Sequence, residues 1–180
     1  MWQRVFEVLV SEADNEYAMI DSTIVRAHQH SAGVKGGMQT PKQLDVALVG
    51  LSAKIHAVVD EEGKSGSAFT SRQDKPVTQD GADVLLPDLR ADTLLADKGY
   101  DADARVIDVL QAQTKTAAIP SKLNRTTKRD YDKDLYKARH LIENFFAFLK
   151  QYRAIATRYD KLKVNFLGAI YLAATAIWLN

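Results

Sequence analysis

The chain has 180 residues, 46% hydrophobic and 26% charged, with no cysteine and a net charge of +1. That length and balance suit one domain with a sizeable core, and exclude a disordered chain, a disulfide framework and a thiolate metal site. The N-terminus shows no basic flank before an apolar core, and the uncharged stretch from Val164 to Trp178 is too short, and too broken by Asn165 and Gly168, to span a bilayer. A cytoplasmic protein without membrane contact is expected.

Trp2, Val5, Phe6 and Leu9 fall at helical spacing and predict a leading helix over Met1–Ser11. Tyr17–Val25 is a β-branched apolar run of the kind that forms an interior strand, and His28–Lys42, with its glycines and proline, reads as loop. Leu51–Asp60 alternates in strand fashion and ends at the turn Glu61-Glu62-Gly63-Lys64, with a weaker third strand at Ser67–Ser71. A short helix over Gly81–Leu89 is expected to stop near Pro87. Thr93–Asp97 is a further apolar run, followed by Lys98-Gly99-Tyr100 and a helix over Asp103–Gln113. Thr116–Ile119 is a short strand stopped by Pro120, then Ser121–Asp134 is a polar, basic connection. Two helices, 135–155 and 164–178, close the chain. Strands first grouped and then alternating with helices predict a mixed sheet between helical layers, an α/β fold.

The small net charge hides an asymmetry. Thr114–Lys163 carries 13 Lys and Arg against 5 Asp and Glu, leaving 11 against 18 for the rest of the chain. Such a segment points to a polyanionic partner, with nucleic acid the favoured one. Within it, Tyr136, Arg139, Glu143 and Lys150 are spaced by 3, 4 and 7 residues, so that all four project from one stripe of a single helix. Leu141, Ile142, Phe145, Phe146, Phe148 and Leu149 form its apolar side. Alone, such a stripe reads as a solvated charged face.

Two aspartates alter that reading. Asp21 interrupts the run AMIDSTIV and Asp97 ends the run TLLAD. A carboxylate in an interior strand is costly unless it is paired, protonated or bound to a cation. Either aspartate singly would suit a strand-end cap or a partner for an arginine. Together with Glu143 they make a carboxylate cage for a hard divalent cation the better reading. His28 and His30 form an H-x-H pair with no evident third or fourth ligand, so a DNA contact or plain loop is preferred to zinc. His56 and His140 fall in apolar settings and read as core or edge residues.

The segments MIDSTIVRAHQHSAG, LSAKIHAVVD, DVLLPDLRADTLLADKGYDADARVI and YDKDLYKARHLIENFFAFLKQYRAIATRYDK, running through to AIWLN, resemble bacterial insertion-sequence transposases of the DDE class, specifically the family called insertion sequence five. Its Y-2-R-3-E-6-K signature, in which digits count intervening residues, is met by Tyr136, Arg139, Glu143 and Lys150. The resemblance implies a ribonuclease-H-like mixed sheet flanked by helices, with Asp21, Asp97 and Glu143 as catalytic residues and metal ligands. It further implies two Mg²⁺ ions, with Mn²⁺ as a substitute, and double-stranded DNA as the partner, both element ends and target. A homodimer is implied for the active state, and a place at the bacterial nucleoid. Tyr136, Arg139 and Lys150, with Arg125 and Lys98, are the expected DNA or phosphate contacts.

The expected organisation is one catalytic domain: a leading helix 1–16, a core 17–155 and a terminal helix 164–178, lacking the upstream DNA-binding segment of full-length relatives. The chain departs from the family pattern at Leu44–Gly50, where relatives are basic and glycine-rich, and at SGSAFTSRQDKPVTQD, which has no His-Asp pair and makes a poor strand. The leading expectation is therefore DNA cleavage and strand transfer. The alternatives are a regulatory or decayed fragment that binds without cutting, and a structure-selective nuclease of the same fold.

Overall fold

A computed structural model describes residues 2–10, 16–28, 31, 52–72 and 79–179, and excludes the side chains of 65–72 and 79–80. Most of the expected 28–42 loop, including His30, and the Leu44–Gly50 departure lie outside the described residues. The elements in chain order are α1 (Trp2–Val10), β1 (Tyr17–Ala27), β2 (Ser52–Asp60), β3 (Ser65–Arg72), α2 (Gln79–Leu85), β4 (Thr93–Ala96), α3 (Asp108–Ala112), β5 (Thr116–Ala118), α4 (Lys133–Tyr136), α5 (His140–Gln151), α6 (Arg153–Ala156), β6 (Thr157–Arg158) and α7 (Lys163–Leu179). No helix among the described residues is long and apolar enough to cross a membrane.

One sheet runs in the order β3-β2-β1-β4-β5, with β6 beside β1. β2 is antiparallel to both β1 and β3, whereas β4 and β6 run parallel to β1, and β5 parallel to β4. Helices cover both faces, giving the mixed α/β sheet flanked by helices. The third strand forms despite its composition, over Ser65–Arg72, with register shifts against β2 between His56 and Val59. The turn before it is made by Gly63 at φ +76° and by the Asp60 carboxylate, which accepts from the N–H groups of Glu62 (3.0 Å) and Lys64 (2.8 Å).

Side-chain alternation divides the core between the two faces. Met19, Val25, Ile55, Ala57, Val59 and Leu95 pack with Phe6 of α1, with α5 and with α7. Ala18, Ile20, Val58, Leu94 and Ala96 pack on the other face with α2, Tyr100, Val106 and Leu110. Coverage on both sides is why these strands read as continuous apolar runs. It also corrects the alternation expected in β2, where every residue from Ile55 to Asp60 is buried. His56 is among them, as expected, whereas His140 is exposed, its Nδ1 2.9 Å from the Lys137 carbonyl.

The helix expected over 135–155 is not continuous. α4 passes through a 3₁₀ turn at Lys137–Arg139 into α5, and Tyr152 then turns extended at ψ 104° before α6 begins. The expected 103–113 helix likewise opens with a π turn over Asp103–Ile107. Within α5 the buried residues are Ile142, Phe145, Phe146 and Leu149, while Phe148 is exposed, against its expected place on the apolar side. Burying each of the four contributes about 1.5–3 kcal/mol as an upper figure, and the total anchors the helix that carries Glu143.

Gly81 in α2 lies against the buried His56 ring so closely that an added Cβ would stand 2.0 Å from Nδ1. Gly81→Ala is expected to cost about 1–3 kcal/mol by overpacking, read as a lowered urea midpoint. An unchanged midpoint would contradict this packing.

Candidate active site

β1 and β4 are adjacent and parallel, and Ile20 pairs with Ala96. The next residues along each strand are Asp21 and Asp97, which the register therefore sets side by side. By alternation both belong to the face covered by α5, with Met19 and Leu95. Among the described residues, β1 has no partner on the β4 side beyond this point until β6 meets Arg26 and Ala27. The aspartates thus lie at the head of a gap in the sheet.

Asp97 leaves the sheet by capping the 3₁₀ turn Lys98–Tyr100, its Oδ1 accepting the Gly99 N–H at 2.8 Å. A Cβ at position 99 would stand 2.8 Å from that same oxygen, so glycine lets the carboxylate keep its place. Asp21 Oδ1 accepts the Ser22 N–H at 2.7 Å, and Oδ2 accepts from Arg139 Nη1 at 2.8 Å. The Asp21 carboxyl is pushed above the ordinary carboxylate range by burial first; Asp97 adds to the shift, and the Ser22 N–H and Arg139 restrain it.

Arg139 also donates from Nη2 to Glu143 Oε1 at 2.6 Å, so one guanidinium joins two of the three expected ligands. Burial opposes its charge, but Asp21, Tyr136 and Glu143 outweigh that effect and raise its pKa. The side chains of Asp21 and Arg139 are each 19% exposed and that of Glu143 is 58% exposed, so the cluster runs from the sheet to the surface. The Tyr136 ring packs edge-on against Tyr131, centroids 5.4 Å apart. Its phenol is raised by burial, with Asp97 and Asp21 adding and Arg139 opposing, which places it in the field of the same cluster.

Tyr100 is a residue that sequence reasoning left without a role. It is fully buried, and its phenol is pushed strongly upward by burial and then by Asp21 and Asp97; Ser22 lies near its hydroxyl without hydrogen-bonding geometry. The available signal was its position three residues after Asp97.

The remaining expected contacts separate. Lys98 is exposed immediately after Asp97. Lys150 is exposed two turns beyond Glu143, roughly 10 Å along the same helix face, and stands apart from the cluster. Arg125 is not free for phosphate: its Nε donates to Asp101 Oδ2 and its Nη2 to Asp103 Oδ1, both at 2.8 Å. Arg129 pairs with the same two aspartates, and the Lys122 N–H donates to Asp101 at 2.8 Å. These contacts clasp the 121–130 connection to the segment after Asp97. Among the described residues, no three His, Asp or Glu side chains lie close enough together to hold one ion.

The clasp has a pH signature. Hydrogen bonds from Arg125 and Arg129 lower Asp103 to about 2; Asp101 is also lowered, because Arg125, the Lys122 N–H and Arg129 outweigh its burial. A carboxyl depressed in the folded state contributes stability that is present above its unfolded value, near ~4, and lost as pH falls through the folded value. Arg125→Gln is therefore expected to lower the urea midpoint at neutral pH, with the deficit closing as pH drops from about 4 towards 2. A deficit of the same size at every pH would contradict the pairing.

The family described as the transposase DDE domain matches residues 14–179. A Brucella ovis protein named for the transposase of insertion sequence element IS6501 is 36% identical over 136 residues, which are 72% of this chain and all of that protein. An uncharacterized protein, y4sN, from Sinorhizobium fredii is 57% identical over 49 residues, covering 26% of this chain and 35% of the relative. Among solved structures, a pre-cleavage Mos1 transpososome is similar at a TM-score of 0.40 and 12% identity, covering 98% of this chain and 61% of that one. A Mos1 paired-end complex with the left transposon end gives 0.35 and 13%, covering 99% and 59%. The chain thus spans about three fifths of those two solved chains. On the match over 14–179 and the IS6501 relative, the chain belongs to the transposase DDE domain family, among the bacterial insertion-sequence transposases.

Proposed function

We propose that this chain is a single catalytic domain of a transposase of the insertion sequence five type, one that hydrolyses phosphodiester bonds at element ends and joins the freed ends to target DNA. The observation that carries the reading is the placement of Asp21 and Asp97 one residue beyond the last β1–β4 pair, Ile20 with Ala96, with Glu143 tied to Asp21 through Arg139. The partner would be double-stranded DNA, and the working state a homodimer.

Carboxylate oxygens are the donors that hard divalent cations require, and the crowding of Asp21 by Asp97 is a charge arrangement that a cation relieves. The donor set therefore fits Mg²⁺ or Mn²⁺ in kind, with Asp21, Asp97 and Glu143 as the residues that would hold two ions. Bound there, the metals would lower the pKa of an attacking water or 3′-hydroxyl and stabilise the leaving oxygen. Arg139 already lies between two of the carboxylates, and its planar fork suits a phosphate equally well. It would serve as the group that exchanges carboxylate for the scissile phosphate when DNA and metal bind. Lys98, next to Asp97, would add a point charge near that phosphate, and Lys150, two turns further along α5, would hold a phosphate further along the duplex. Tyr136 would line the approach, and Tyr100 would keep water from beneath Asp21.

Nicking of an element-end duplex with Mg²⁺ or Mn²⁺ tests this reading. Asp97→Ala is expected to reduce the rate by more than about 100-fold without loss of fold, since even residues that only support metal ligands are worth about 10–100-fold. Cleavage surviving that substitution would sink the triad assignment. Gly99→Ala is expected to slow nicking about 10–100-fold by displacing the Asp97 carboxylate, and a wild-type rate would show that the cap is dispensable. Products joined to target DNA would separate a transposase from a nuclease of the same fold.

A further inference from the structure

The far end of β1 carries a second basic surface that the carboxylate cluster does not use. β6 lies beside Arg26 and Ala27, and the His28 N–H donates to the Arg158 carbonyl at 2.8 Å. The Tyr159 ring stacks on His28 with centroids 4.7 Å apart and planes 27° apart, yet Tyr159 remains 53% exposed. Arg26, Arg153, Lys161 and Lys163 are all exposed, while Asp160, the one acid between Gln151 and Lys163, is half-buried.

This surface is braced from within. Arg158 is fully buried over the Phe166 ring, 5.1 Å from its centroid. Its Nε donates to the Asp160 carbonyl at 2.9 Å and its Nη2 to the Lys161 carbonyl at 3.3 Å. A guanidinium holding two successive carbonyls fixes the turn from inside and leaves Tyr159 and Lys161 pointing outward. Exposed cations beside a half-exposed aromatic ring, with no exposed acid in the 151–163 segment, form a surface matched to a polyanion. Five residues of strand separate Arg26 from Asp21, roughly 17 Å at ~3.3 Å per residue, so this surface lies well apart from the carboxylates.

We propose that Arg26, Lys161 and their neighbours form a second DNA-backbone grip, which holds the duplex away from the scissile phosphate. It is separate from the Arg139 and Lys150 positions, and rests on the transposase reading for the identity of its ligand. The grip sets affinity and register but not the chemical step.

The test is fluorescence anisotropy of the full chain with a labelled duplex of about 30 base pairs, without divalent cation, between about 50 and 200 mM salt. Arg26→Gln combined with Lys161→Gln is expected to weaken binding about tenfold and make the log–log salt slope shallower by roughly 2, as for two lost phosphate contacts. Nicking at saturating DNA should keep its wild-type rate while the half-saturating DNA concentration rises. Arg4→Gln, a charge removed from the exposed face of α1, should change neither affinity nor slope. Wild-type affinity and slope in the double variant would overturn the grip. So would equal weakening by Arg4→Gln, or a wild-type chain that binds no duplex. Asp97→Ala separates the two readings. If it still cuts while the double variant binds weakly, the triad falls and the grip stands; if it binds but cannot cut while the double variant binds normally, the grip falls alone.

Discussion

A guanidinium shared by two carboxylates is the contact on which the site depends. Asp21 lies in the strand that joins both halves of the sheet, where burial disfavours its charge and Asp97 adds a second negative group alongside. Arg139 answers both problems at once. It neutralises Asp21 and, by reaching Glu143, fastens the start of α5 to the middle of β1, 118 residues earlier in the chain. Without such a cation these carboxylates would repel, and a cluster of this kind is stable only while something positive stands among them.

The rest of the fold positions that contact. Alternation along β1 and β4 sends Asp21 and Asp97 to the α5 face, and the parallel register brings them level. The 3₁₀ turn at Lys137–Arg139 ends the short α4 and presents Arg139 just before the apolar part of α5 packs down through Ile142, Phe145, Phe146 and Leu149. A second clasp, Asp101 and Asp103 with Arg125 and Arg129, ties the connection ahead of α4 to the turn that follows Asp97. The two segments that carry the carboxylates are thus held together in two places, by charge pairs distant in sequence.

Much of this was legible in the chain, for local reasons. Asp21 and Asp97 stood out because an acid amid apolar residues needs an explanation, and Glu143 because Arg139 precedes it by one helical turn. What sequence could not show was long-range. Arg125 looked like a phosphate contact because its partners Asp101 and Asp103 lie 24 and 22 residues away. The break in the 135–155 helix had no glycine or proline to announce it; Tyr152 turns extended where the chain must swing back to lay β6 against β1. Phe148 was placed on the buried side by hydrophobicity alone, whereas the face of α5 is set by its neighbours at 145 and 149. β3 formed from a poor strand composition because pairing with the fully buried β2 outweighs propensity.

If Arg139 occupies carboxylates that cations would otherwise share, metal affinity must depend on it. Electron paramagnetic resonance of Mn²⁺ titrated into the DNA-free protein tests this directly, comparing wild type with Arg139→Ala and with an Arg139→Ala, Asp21→Asn double variant. The expected result is tighter Mn²⁺ binding in Arg139→Ala than in wild type, with that gain abolished by the second substitution. Identical Mn²⁺ affinity in all three proteins would contradict a cation site built on Asp21, and with it the part played by the Arg139 bridge.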